Sequence, residues 1–64
     1  MNNSQKLQAF ILHSPSKPVQ FWEVVRLAQE LDKEVVIIED FCPDMLEFNF
    51  TDLSTTSVKY RELP

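Results

Sequence analysis

Not one glycine occurs in the 64 residues of this chain, and that absence narrows what it can build. No helix can end on the residue that most readily adopts a left-handed C-cap. The phosphate cradles that bring backbone amides close to a nucleotide need glycine at the points of approach, so nucleotide-dependent chemistry of the familiar kinds is excluded. No glycine-rich linker and no internal repeat divides the sequence. Residues 1–64 are therefore expected to form one small α+β domain, with residues 1–5 as a flexible, polar N-terminal tail.

Size sets the second limit. A domain this short buries only about 60% of the surface that its unfolded chain exposes, and small domains commonly compensate with disulfides, a metal or a partner. Cys42 is the only cysteine, which rules out an intrachain disulfide, and Cys42 with His13 falls short of a four-ligand zinc site. No metal and no cofactor is expected. A good core remains, together with a second copy of the chain or a different protein as partner. With 44% apolar and 25% charged residues the composition is that of a folded chain. Its longest apolar runs, Ala9 to Leu12 and Val35 to Ile38, are far shorter than the ~20 residues that cross a bilayer. The polar start of the chain lacks a signal-peptide core, and a cytoplasmic location, consistent with an unpaired thiol, is expected.

Charge is unevenly placed. The formal net charge is −4, but no lysine or arginine occurs from Glu34 through Val58, a stretch that holds Glu34, Glu39, Asp40, Asp44, Glu47 and Asp52. Such a field repels nucleic-acid phosphates and attracts basic partners. Direct nucleic-acid binding is not expected.

Hydrophobic periodicity divides the chain into five elements. Leu7 to Leu12 is apolar and β-compatible, and it stops at Ser14-Pro15-Ser16-Lys17-Pro18, so it reads as a first strand and a turn. Ser16 as N-cap and Pro18 in the first turn predict a helix. Its buried stripe is Phe21, Val24, Val25, Ala28 and Leu31, with Leu27 at the margin, and it ends near Asp32-Lys33. Glu34 to Glu39 is β-branched and continuous, the pattern of a central strand buried on both faces. After a loop at Phe41-Cys42-Pro43-Asp44, Leu46, Phe48 and Phe50 alternate with polar residues; after a turn at Asp52 to Thr56, Val58 and Tyr60 alternate with Lys59 and Arg61. The order β-α-β-β-β predicts a mixed four-stranded sheet with one helix packed on one face. Val35 and Ile37 point opposite to Val36 and Ile38, so the far face also carries apolar side chains and requires a cover.

The residues able to carry chemistry are few. Cys42 and His13 are the sole thiol–imidazole pair, and a nucleophile also needs an orienting group; a lone cysteine is more often a small buried hydrophobe. Glu39, Asp40, Asp44 and Glu47 offer oxygen ligands at a spacing typical of solvated loops, without the EF-hand pattern or its glycine. On the helix, Trp22 falls away from the buried stripe and shares a side with Val19, Arg26 and Gln29. It either wraps the edge of the core or anchors an interface, for which Trp and Arg are enriched.

These features point to a non-enzymatic interaction protein, an inhibitor, adaptor or regulatory subunit. It would meet a protein partner with a basic surface through Glu39, Asp40, Asp44, Glu47, Asp52, Trp22 and Arg26, competing there with nucleic acid. The alternatives are a thiol-dependent enzyme or redox protein centred on Cys42, and a structural homodimer within a larger complex.

Overall fold

The computed structural model of the chain describes residues 1–15, 17–41 and 44–61, with Phe41 described by its backbone alone. It is an α+β structure of two helices and a mixed four-stranded sheet, in the order α1 (Asn3–Leu12), β1 (Val19–Gln20), α2 (Phe21–Leu31), β2 (Val36–Phe41), β3 (Asp44–Asn49) and β4 (Thr55–Arg61). The strands lie in the order β1-β4-β3-β2, with β1 parallel to β4 and the two hairpins β2–β3 and β3–β4 antiparallel. From residue 19 on, the expected β-α-β-β-β order recurs with the two-residue β1 (Val19–Gln20) as its first strand, and a second helix precedes it.

That second helix replaces the strand expected over Leu7 to Leu12. Its start lies in the residues read as a tail: the Asn2 side chain accepts from the Gln5 amide at 2.8 Å, and the Gln5 side chain accepts from the Asn2 amide at 3.0 Å. This reciprocal pair is a capping box, a sequence-local helix start. Leu7 is fully buried and Ile11, one turn on, packs against the core, whereas Phe10 and Leu12 are exposed. The apolar run is thus split between two sides of a helix.

The helix over the middle of the chain begins later than expected. Pro18 follows a cis peptide bond and precedes the helix, because Val19 and Gln20 pair with Tyr60 and Arg61 as β1 before α2 starts at Phe21. Ser16, the expected cap, lies outside the described residues. The buried stripe is as the periodicity demands: Val24, Val25 and Ala28 are buried, and Phe21, Leu27 and Leu31 pack partly against them. On the sheet, Leu46, Phe48, Val58 and Tyr60 present one buried face to the helices, and Phe50 continues it beyond β3. Phe21 meets the Tyr60 ring edge-on at 5.1 Å, and Phe48 stacks on Phe50 at 6.3 Å, geometries that aromatic pairs favour.

The β-branched strand β2 is not central as expected; among the described residues it is outermost in the sheet and pairs with β3 alone. Val35 and Ile37 pack partly against the core, while Val36 and Ile38 remain 57% and 48% exposed on the opposite face. A continuous apolar run is therefore satisfied here on one face and bare on the other.

The turn between β3 and β4 joins both helices to the sheet. Ser54 O accepts from the Phe50 amide at 2.9 Å and Phe50 O from the Leu53 amide at 3.0 Å. Asp52 accepts from the Ser54 amide and hydroxyl through one carboxylate oxygen, and from the Asn3 amide at 2.8 Å through the other. The Ser54 hydroxyl accepts from the Ser4 amide at 3.1 Å. With Asn2 and Gln5 bonded to each other, the amides that α1 cannot satisfy internally are all paired. α1 has no acidic residue in its own first turn, so Asp52 supplies the negative charge that its dipole favours there. Across the turn, Asp32 at the end of α2 accepts from the Thr51 amide at 2.6 Å and hydroxyl at 2.8 Å, and from the Glu34 amide at 3.1 Å. The start of α1 and the end of α2 thus meet at one turn, and the helices run antiparallel.

The turn requires a residue of positive φ, and in a glycine-free chain Leu53 takes it at 72° while 92% exposed. A left-handed conformation costs an L-residue with a Cβ about 1–2 kcal/mol, and asparagine is among the few residues that tolerate it. Leu53→Asn should therefore raise stability by about 0.5–1 kcal/mol, measured as a higher urea midpoint at unchanged slope; a lower midpoint would contradict this account of the turn.

Candidate functional site

Strand register assigns the acidic residues to faces. Leu46, Phe48, Val58 and Tyr60 face the helices, so the alternate residues face away. Across β2, β3 and β4 these form three rows: Val36, Asn49 and Thr55; Ile38, Glu47 and Ser57; Asp40, Met45 and Lys59. The open face thus has an apolar corner at the free edge of the sheet, made by Val36 and Ile38. Glu47 stands opposite Ile38, and Asp40 lies two residues along the strand. Glu39 pairs with Leu46 on the helix-bearing side, as does Asp44 at the far end of β3, and both are exposed. Four of the seven residues expected to meet a partner, Glu39, Asp40, Asp44 and Glu47, therefore gather on the β2–β3 hairpin, divided between its two sides.

Asp52 does not join them. It sits in the β3–β4 turn, engaged with Ser54 and the start of α1. The Ser54 hydroxyl, the Asn3 amide and the Ser54 amide hold its carboxyl below the usual carboxylate value. The Thr51 amide first, and its hydroxyl and the Glu34 amide with it, do the same for Asp32.

Trp22 and Arg26 stand one turn apart on the outer flank of α2, both exposed, with Trp22 at 75%. The opposite flank faces α1, since Glu23 accepts from the Ser14 hydroxyl at 3.0 Å and Leu31 borders a groove with Phe10 and His13. Val19, expected beside Trp22, is instead buried in β1. Trp22 touches Phe21 edge-on at 5.0 Å and does not wrap the core.

Two grooves escaped the sequence reading because α1 read as a strand. One, of about 460 Å³, is bordered by Met1, Lys6, Ala9, Phe10, His13 and Leu31 between the helices and is almost wholly apolar. The other, of about 350 Å³, runs between Gln8, Ile11 and Leu12 of α1 and Ser57 to Lys59 of β4, with Pro18 also in its lining. His13 is the C-cap of α1, while Cys42 lies outside the described residues. Among the described residues no group of three or more His, Cys, Asp or Glu side chains is placed to hold a metal ion, and no helix is long and apolar enough to cross a membrane.

Comparison with protein-family models, curated proteins and solved structures finds no match.

Two outcomes test this geometry. Asp52 and Asp32 have lowered folded pKa values, so the stability they contribute is complete above their ordinary value of 3.8 and is lost as pH falls through the folded values. Asp52→Asn should be less stable than the parent at neutral pH, and the gap should close in urea titrations run well below pH 3.8; a gap independent of pH would refute the assignment. Trp22→Ala should cost no more than about 1 kcal/mol, against about 3–5 kcal/mol for Phe48→Ala, and the emission of this only tryptophan should be that of a water-exposed indole open to iodide quenching.

Proposed function

We propose that this chain is a non-enzymatic, protein-binding module that recognises a basic partner through the β2–β3 hairpin. The observation that carries this reading is the juxtaposition, on the open face of the sheet, of exposed Val36 and Ile38 with Asp40 and Glu47. An apolar corner flanked by two carboxylates combines the two contributions that interfaces use: desolvation of aliphatic surface and electrostatic selection of the partner. Lys59 is the one cation in the three rows, so the hairpin keeps an acidic field. The same field disfavours nucleic acid as the direct ligand and suits a protein that itself binds phosphates. An inhibitory or adaptor role in the cytoplasm fits this chemistry.

A second copy of the chain is a poorer occupant of the hairpin. Two such surfaces would bring like charges together, which destabilises an interface. Trp22 and Arg26 supply a second surface on another side of the molecule, and burial of the Trp22 indole, unlike charge pairing at the hairpin, responds little to salt.

Affinity capture on the immobilised parent protein, compared with two variants, tests the reading. The double reversal Asp40→Lys with Glu47→Lys should abolish recovery of the specific partner, and parent binding should weaken at least several-fold as ionic strength rises to about 0.5 M. Trp22→Ala should leave recovery unchanged. Recovery indifferent to salt and to the double reversal, but lost with Trp22→Ala, would transfer the function to α2.

A further inference from the structure

We infer that the outer edge of β2 receives an extended segment of the partner as a fifth strand, and that this segment carries two adjacent basic residues followed by alternating aliphatic ones. The inference rests on the reading of the hairpin as a binding surface for a basic protein. β2 is six residues long, pairs along its whole length with β3, and ends the sheet. Alternate residues of an antiparallel edge direct both N–H and C=O outward, so β2 presents a row of backbone groups to a new strand. At the opposite end of the sheet β1 is two residues long, and short edges of that kind resist pairing.

Side chains along β2 specify the occupant. An added strand places alternate side chains beside Val36, Ile38 and Asp40 on the open face, and beside Ile37 and Glu39 on the helix-bearing one. Directly opposed side chains contribute favourably when both are aliphatic or when their charges are opposite. The complementary segment is therefore aliphatic opposite Val36 and Ile38 and basic opposite Glu39 and Asp40. For an antiparallel strand, the more stable pairing, the order from its N-terminus is two bases and then aliphatic residues at every second position. A second β2 does not meet this requirement. Turned about a two-fold axis through Ile38, it would set Glu39 and Asp40 of each copy against Ile37 and Val36 of the other, leaving the carboxylates without cations.

The experiment uses the intact protein and an end-blocked synthetic peptide containing Lys-Lys-Val-Thr-Val, with binding followed by calorimetry and by amide hydrogen exchange. Two further peptides carry N-methyl groups on alternate amides, so that one removes the donors facing β2 and the other only donors facing solvent. The parent peptide should bind and slow exchange within residues 36–41, one N-methylated peptide should bind at least about tenfold more weakly, and the other should match the parent. Asp40→Lys should weaken the parent peptide by about tenfold, and a peptide with glutamates in place of the lysines should not bind. Equal binding by both N-methylated peptides would overturn strand addition while leaving a charge-based partner surface intact. Failure of the parent peptide to bind would overturn strand addition alone if the captured partner still responds to salt, and both readings if it does not. A free protein that sediments as a dimer with residues 36–41 already protected would assign the edge to a second copy and overturn the inference.

Discussion

The turn from Phe50 to Ser54 is the constraint on which the rest of the molecule depends. Asp52 reaches 49 residues back along the chain to the first amide of α1, and Asp32 ties the end of α2 to Thr51. Neither helix is long enough to be stable alone in water, so each relies on packing and on satisfied ends. By placing the start of one helix and the end of the other against the same turn, the chain orients both over β3 and β4. Leu7, Val24, Val25 and Ala28 then close over Leu46, Phe48, Val58 and Tyr60. The strained backbone of Leu53 is the local cost of building such a turn without glycine.

That arrangement explains which part of the sheet is left bare. The helices join one another and β4, while β2 packs chiefly on β3. Covering the centre of the sheet from one side leaves an outer strand with an unpaired edge and an unattended face. Natural edges are commonly blunted by charge, brevity or an irregular residue. Here Glu39 and Asp40 stand on β2, Asp44 and Glu47 stand on β3, and the same carboxylates that keep indiscriminate strands away would select a basic one. Protection of the edge and the proposed recognition of a partner would draw on the same electrostatic field.

The candidate surface was half legible in the sequence. A stretch of six carboxylates without a lysine or arginine is visible in one dimension, and so is the alternation of Val36 and Ile38 with Val35 and Ile37. What composition could not separate is Asp52 from the others: it is as acidic as Asp40, yet it serves the end of a helix distant in sequence. Trp22 had two roles open to it on a helical wheel. The position of α1 on the other flank of α2 left it in solvent. The groove between the helices had no counterpart in the sequence reading, because the run from Leu7 to Leu12 satisfies strand composition as well as it satisfies a helix with Leu7 and Ile11 one turn apart. The Asn2 and Gln5 capping pair was the local signal that separates these readings.

The residues by themselves determined what repeats within a few positions: the buried stripe of α2, the alternation of β3 and β4, the acidic tract between the last two groups of basic residues, and the class of an α+β sheet. Side-chain periodicity is a local property, because burial of one face obliges apolar residues to recur at the period of the element that carries them. Tertiary structure alone decided the order of the strands. A β-branched run such as Val35 to Ile38 fits a central strand buried on both sides and an edge strand with one face open, and only the placement of β1 beside β4 at the far side of the sheet put β2 outermost. The physical reason is that hydrogen bonds between strands are indifferent to sequence, so the neighbours a strand acquires depend on where the turns and helices bring them.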